Sequence, residues 1–243
     1  MVEFSDFLLK WWDKNDEVKT KRMFPWRRLI LGHYLDLNFK FDRNFMIILA
    51  EVLLHRTNAS IVNNNYMRLT EKYKSFNDIV DANEIELKEE LKPLGNHNQK
   101  YQTIYYISKN IVDNFDNDVP IESENIRSLF KSFKRKQHLY LAEAFDLYIN
   151  EAHTIPVDTN IERIFVRVFN IKRDFKKKQV QYDLEFCNSV KDYLPEQNVI
   201  EFNMALLDLG ALICKKRNPK CEICPVSSFC TYFYSLSEGD ENI

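Results

Sequence analysis

Apolar residues recur every three to four positions through most of this chain, a pattern that predicts helices joined by short connections. The periodic segments fall at about residues 4–12, 44–56, 59–73, 75–82, 84–91, 99–115, 124–133 and 139–150. A further helix opens at Ile155-Pro156-Val157-Asp158-Thr159-Asn160 and runs to Phe169, and two more follow at about 184–193 and 199–213. Phe24-Pro25-Trp26-Arg27 reads as an irregular stretch. Four glycines and seven prolines in 243 residues are too few turn formers for a sandwich or barrel of strands, so the expected fold class is all-α. A hydrophobic content of 45% is enough to fill one large core or two modest ones. Repeats and low-complexity tracts are absent from the sequence, and the run 172–178 is the candidate for an exposed joint.

Two carboxylates break this pattern. Glu51 sits inside the apolar run from Met46 to Leu54, where a charge is costly unless it is paired or used; the alternative is that it faces solvent at the helix edge. Asp158 stands just before a helix, where a carboxylate accepts backbone N–H bonds and stays ionised. Its simplest role is an N-cap, which Thr159 could also fill.

Near the C-terminus Cys214, Cys221, Cys224 and Cys230 are spaced C-x6-C-x2-C-x5-C. Four thiolates on one short loop are the ligand set of a 4Fe-4S cluster. A four-cysteine zinc site is the rival, but zinc ribbons usually place two C-x2-C pairs on separate knuckles and only one such pair occurs here. Two disulfides would need an oxidising compartment, whereas the sequence shows neither a charged-then-apolar leader nor an apolar run long enough to span a bilayer. The expectation is a soluble, cytoplasmic protein with no membrane partner. Cys187 falls in a helical pattern and reads as a small core residue.

A net charge of -2 argues against indiscriminate DNA binding, but the distribution of charge says more. Arg127, Lys131, Lys134, Arg135 and Lys136 form one basic island without an acid among them, 172–178 a second, and Lys215, Lys216, Arg217 and Lys220 a third inside the cysteine loop. Such runs are often solvated helix faces, yet three of them in a weakly acidic chain favour contact with phosphate.

Taken together, four stretches resemble the helix-hairpin-helix DNA glycosylase superfamily, the endonuclease III-like group, and within it the archaeal thymine-DNA mismatch glycosylases most. They are Phe24-Pro25-Trp26-Arg27; Glu51-Val52-Leu53-Leu54-His55-Arg56-Thr57; Val157-Asp158-Thr159-Asn160 followed by Arg163; and Phe202-Asn203 leading through Leu209-Gly210-Ala211 into the cysteines. Their order and spacing match the family over nearly the whole chain.

The resemblance implies a bilobed all-α fold, with a helical barrel at about 43–157 and a second lobe made of 1–42 with 158–243. It implies a monomer acting on double-stranded DNA that carries a mismatched or modified base, in a nucleoid setting. The target nucleotide would be flipped into a cleft where Asp158 and Glu51 meet. Breaking a C1'–N bond leaves positive charge on the sugar, which an ionised Asp158 would stabilise, or it would activate water. Glu51, held protonated, would donate to the departing base. The lysine of bifunctional members is matched here by Tyr140, so strand cleavage is not expected; a buried tyrosine walling the pocket is the alternative explanation, and the two are compatible. Arg56, Thr57, Lys134, Arg135, Lys136, Asn160, Lys216 and Arg217 are the expected DNA contacts.

One departure stands out. The family hairpin carries glycines whose N–H groups cradle a phosphate, and this chain has Lys134-Arg135-Lys136-Gln137-His138 in their place. Either the hairpin differs in shape or side chains grip the phosphate; a register slip bringing Lys136 to the lysine position is a third option. Adenine excision opposite guanine or oxoguanine is the second enzymatic reading, disfavoured because the chain ends soon after the cysteines. A lesion-binding protein without catalysis is the reading from another class.

Overall fold

The structure is a computed structural model that describes residues 2–32, 42–116, 119 and 138–238. Among the described residues it holds thirteen α-helices and short 3-10 turns, with no strand. The expected helix at 124–133 lies outside the described residues, as do Lys134, Arg135 and Lys136. The chain divides into two compact units, Met23–Asn150 and Met1–Arg22 with Glu151–Ile243.

The unit Met23–Asn150 contains α3 (Pro25–Ile30), α4 (Arg43–Leu54), α5 (Ala59–Lys72), α6 (Phe76–Val80), α7 (Glu84–Leu91), α8 (His97–Phe115) and α9 (His138–Asn150). Helix α4 is its axis, buried from Phe45 to Leu53, and packs against α3, α5, α8 and α9. Its start is set by Asp42, which accepts from Phe45 N at 3.0 Å. Ser75 and Asp78 close a reciprocal capping box on α6. The stretch expected to be irregular is a helix instead: proline fits the first turn, where its missing N–H has no partner to lose. Trp26 is buried, with Phe24 stacked on it at 4.8 Å and the Tyr66 ring edge-on at 5.4 Å. Arg43 Nε also donates to Leu29 O at 3.2 Å. These contacts place 23–32 with this unit, so its border falls at residue 23 rather than 43.

The other unit contains α1 (Val2–Lys14), α2 (Asp16–Arg22), α10 (Thr159–Phe169), α11 (Leu184–Lys191), α12 (Val199–Leu212) and α13 (Thr231–Glu238). Helix α12 is apolar on nearly every side and packs on α1 and α10, as a helix without a polar face must. Phe4 sits among the rings of Phe165, Phe169, Phe202 and Phe229, at centroid distances of 4.9–6.1 Å. Burying each such side chain contributes about 1.5–3 kcal/mol. Asp208 is buried and accepts from Trp12 Nε1 at 2.9 Å and from Arg22 Nε, which ties the N-terminal helices to α12. Ile155 and Val157 are buried and His153 Nε2 bonds Pro195 O at 2.9 Å, so 151–157 belong here too.

The run 172–178 is not a joint between units; it lies inside this one. The Arg173 side chain is almost fully buried between Glu162 and Asp183, at 2.9 and 3.0 Å, and Asp183 also caps α11. Half-buried Cys187 on α11 reaches Val180 O at 3.4 Å. Among the described residues no helix is long and apolar enough to cross a membrane.

Candidate active site

Asp158 is the N-cap of α10, and its extended backbone frees the carboxylate to turn back over the helix start. One oxygen accepts from Asn160 N at 2.8 Å and Ile161 N at 2.9 Å; the other accepts from Asn160 Nδ2 at 2.8 Å. Burial raises the pKa of this carboxyl above its ordinary value, while these three donors and the Arg163 charge pull the other way. Both roles read from the sequence, cap and reactive carboxylate, are compatible with this arrangement.

Asn160 is held in turn by Arg163, whose Nη2 donates to Asn160 Oδ1 and to Gly210 O, each at 2.9 Å. Arg163 Nε donates to Cys214 O at 2.7 Å. Asn160 was expected at DNA; here its amide is engaged on both sides, by Asp158 and by Arg163. Such close approach of α10 to α12 requires a residue without a side chain, since a Cβ at Gly210 would lie 2.8 Å from Asn160 Cβ.

One turn further along α10, Arg167 donates to Lys215 O at 2.7 Å and Lys216 O at 3.1 Å, and its guanidinium lies 4.8 Å over the Tyr232 ring. Its own carbonyl accepts from Thr231 Oγ1 at 3.0 Å. The backbone of the cysteine loop is thereby pinned, while the side chains of Lys215, Lys216, Arg217 and Lys220 remain exposed. Cys214, Cys221, Cys224 and Cys230 all sit on this loop without a disulfide among them. Burial and the neighbouring sulfurs raise the Cys224 thiol to about 11. Among the described residues no group of three or more His, Cys, Asp or Glu side chains adopts metal-ligand geometry. The donor set nevertheless fits an iron-sulfur centre, because four cysteine sulfurs, none of them in a disulfide, come from one loop whose backbone is pinned and would all be thiolates once bound to iron.

In the unit Met23–Asn150, Glu51 is buried on α4, which excludes the solvent-facing alternative. The Tyr140 hydroxyl on α9 donates to Glu51 Oε2 at 3.4 Å. Just beyond the helix end Arg56 is exposed with φ at 56°, and Thr57 Oγ1 donates to Leu94 O at 2.8 Å. The described residues thus form two local constellations: Asp158 with Asn160, and Glu51 with Tyr140.

Arg163, Arg167 and Gly210 carried no assigned role in the sequence reading. The available signal was an arginine pair spaced i, i+4 on the helix that follows Asp158, which puts two guanidinium groups on one face.

The sequence pattern of the HhH-GPD superfamily of base excision DNA repair proteins matches residues 49–189. That of the iron-sulfur binding domain of endonuclease III matches residues 214–230, from the first cysteine to the last. The chain is 28% identical to a thymine/uracil-DNA glycosylase of Methanothermobacter thermautotrophicus over 235 residues, 96% of this chain and 95% of that one. It is 25% identical to a thymine/uracil-DNA glycosylase of Pyrobaculum aerophilum over 239 residues, covering 98% and 94%. In three dimensions it resembles a thermostable thymine-DNA glycosylase with a TM-score of 0.76 at 24% identity, over 96% of both chains.

Proposed function

The chain belongs to the HhH-GPD superfamily of base excision DNA repair proteins and is a DNA N-glycosylase; on that premise we propose that it removes thymine mispaired with guanine and leaves the strand uncut. The names of its archaeal relatives support thymine, and add uracil as a second candidate base. The observation that carries the mechanism is the Asp158 carboxylate, held by three hydrogen bonds at the head of α10.

Chemically, Asp158 acts as the ionised group that stabilises positive charge building on the sugar as the glycosidic bond stretches. Its fixed donors hold that charge in one direction, so little reorganisation is needed as the transition state forms. Glu51 is the acid for the departing base, and the Tyr140 hydroxyl orients its carboxyl group. Tyr140 in place of an amine leaves no nucleophile for a Schiff base, so the product is an intact strand with an abasic site. Lys216 and Arg217, with Arg56, Thr57 and the basic run Lys134-Arg135-Lys136, serve as the phosphate and base-edge contacts. Asn160 holds the carboxylate through its side-chain amide.

Cys214, Cys221, Cys224 and Cys230 are the ligands of a 4Fe-4S cluster. These four residues would hold the cluster, which would cross-link the loop that presents Lys215, Lys216, Arg217 and Lys220.

The test is a panel of duplexes with a single T·G, U·G, A·G or A·oxoguanine pair, incubated with the protein and then treated with alkali. Thymine release from T·G with strand scission only after alkali is the expected result. Release of adenine alone would replace the substrate assignment, and no release from any duplex would leave a lesion-binding protein.

A further inference from the structure

We infer that Lys100 is a positioning residue for DNA binding: its buried ammonium clamps the carbonyls at the end of α4 and so fixes the turn that presents Arg56. This rests on the reading of Arg56 as a DNA contact. The side chain enters from the first turn of α8, and the residue is only 2% exposed. Its Nζ donates to Leu53 O at 2.7 Å, His55 O at 2.8 Å and, more weakly, Val52 O at 3.5 Å. All three acceptors are backbone carbonyls, two of them among the last four of α4, which have no partner within the helix. A cation there also meets the negative end of the helix dipole.

A lysine able to reach water rarely accepts such burial. Desolvation lowers its pKa to about 8, so the three carbonyls keep a charge in place against a real cost. The geometry indicates what that cost secures. Arg56 follows His55 directly and has a left-handed backbone, φ 56°, which side-chain-bearing residues avoid unless their surroundings impose it. The surroundings do so from both sides: Lys100 bonds the carbonyl just before Arg56, and Thr57, just after it, bonds Leu94 O at 2.8 Å. Leu94 precedes Gly95 and Asn96, which are themselves left-handed, at 66° and 48°. Two irregular turns, 55–57 and 94–96, are thus stapled together, with Lys100 beneath one and starting from the helix that follows the other. Val52 and Leu53, whose carbonyls the same ammonium holds, are the two residues that follow buried Glu51.

The His55 imidazole adds no charge to this turn. Its pKa falls to about 4 through burial first, then the charges of Lys100 and Arg56, so the positive charge presented at the surface belongs to Arg56.

A double-mutant cycle between Lys100→Met and Arg56→Ala, read as the dissociation constant for a duplex with an abasic-site analogue, tests this. Each single change is expected to weaken binding by roughly ten-fold and the double change by little more than either, because Arg56 contributes only from a fixed turn. Lys100→Arg, which keeps a charged donor, is expected to restore part of the affinity. Losses that multiply to about a hundred-fold would overturn the proposal, as would unchanged affinity in folded Lys100→Met. Should Lys100→Met not fold, the same cycle is run with Lys100→Gln, which keeps a donor but removes the buried charge; multiplicative losses there overturn the proposal equally. Wild-type protein that fails to bind the abasic duplex at all would strike at the glycosylase reading and not at the role of Lys100.

Discussion

Arg163 Nε donates to the carbonyl oxygen of Cys214 at 2.7 Å, while the same guanidinium holds Asn160 Oδ1, and Asn160 holds Asp158. A carboxylate assigned to catalysis and the first cysteine of the iron-sulfur loop are therefore joined through two side chains, each engaged at both ends. The order of this chain suggests how loop and carboxylate depend on one another.

Arg163→Gln shortens the side chain and cannot reach all of these acceptors. Excision under single-turnover conditions is expected to fall by roughly 10–100-fold, the range seen when a supporting partner is removed. Duplex affinity should change far less, since Arg163 serves other protein groups. An affinity loss that accounts for the whole rate loss would assign Arg163 to DNA instead.

Gly210→Ala places a methyl group 2.8 Å from Asn160 Cβ and 3.3 Å from Arg163 Nη2. The two helices must part slightly, at a cost of about 1–3 kcal/mol typical of overpacking. Thermal melting should occur at a lower temperature and excision should slow together with it; a variant with unaltered melting would show that the contact relaxes freely.

Iron and acid-labile sulfide measured on anaerobically purified protein should each come to about four per chain, with a broad visible absorbance. Cys224→Ser should lose this absorbance. Zinc in place of iron, at one atom per chain, would contradict the cluster assignment.

On the proposed mechanism the acid limb of the excision rate reports Asp158, working as its anion. Burial raises the pKa of this group above the ordinary 3.8. On this limb activity should thus decline as pH falls through the raised pKa, at a higher pH than a water-exposed carboxylate would give. A rate that stays flat down to the usual carboxylate range would show that the carboxyl is not desolvated in the working enzyme.

Much of this was legible in the sequence because burial imposes a period. The run 43–54 reads as a helix from its apolar residues alone, and Glu51 is conspicuous for breaking it. Helix α2 was not legible: Asp16–Arg22 is polar except for Val18, and its last residue is fixed by an ion pair to Asp208, 186 positions away. Helix α13 follows the cysteines in a stretch with no clean period. At the site, Asp158 was readable as a cap, since capping is a local interaction. The roles of Arg163, Arg167 and Lys100 were not, because each reaches backbone carbonyls distant in sequence, and every residue type carries a carbonyl. Gly210 could be noted in a motif, but only the approach of Asn160 shows why a side chain is excluded there.

The most direct measurement is base release from a T·G duplex by the wild-type protein and by Asp158→Asn, at saturating enzyme and with duplex binding measured in parallel. Free thymine from the wild type, a fall of roughly 10²-fold or more in the variant, and nearly equal affinity for DNA are the predicted result. Undiminished release by Asp158→Asn would contradict the assignment of that carboxylate to catalysis.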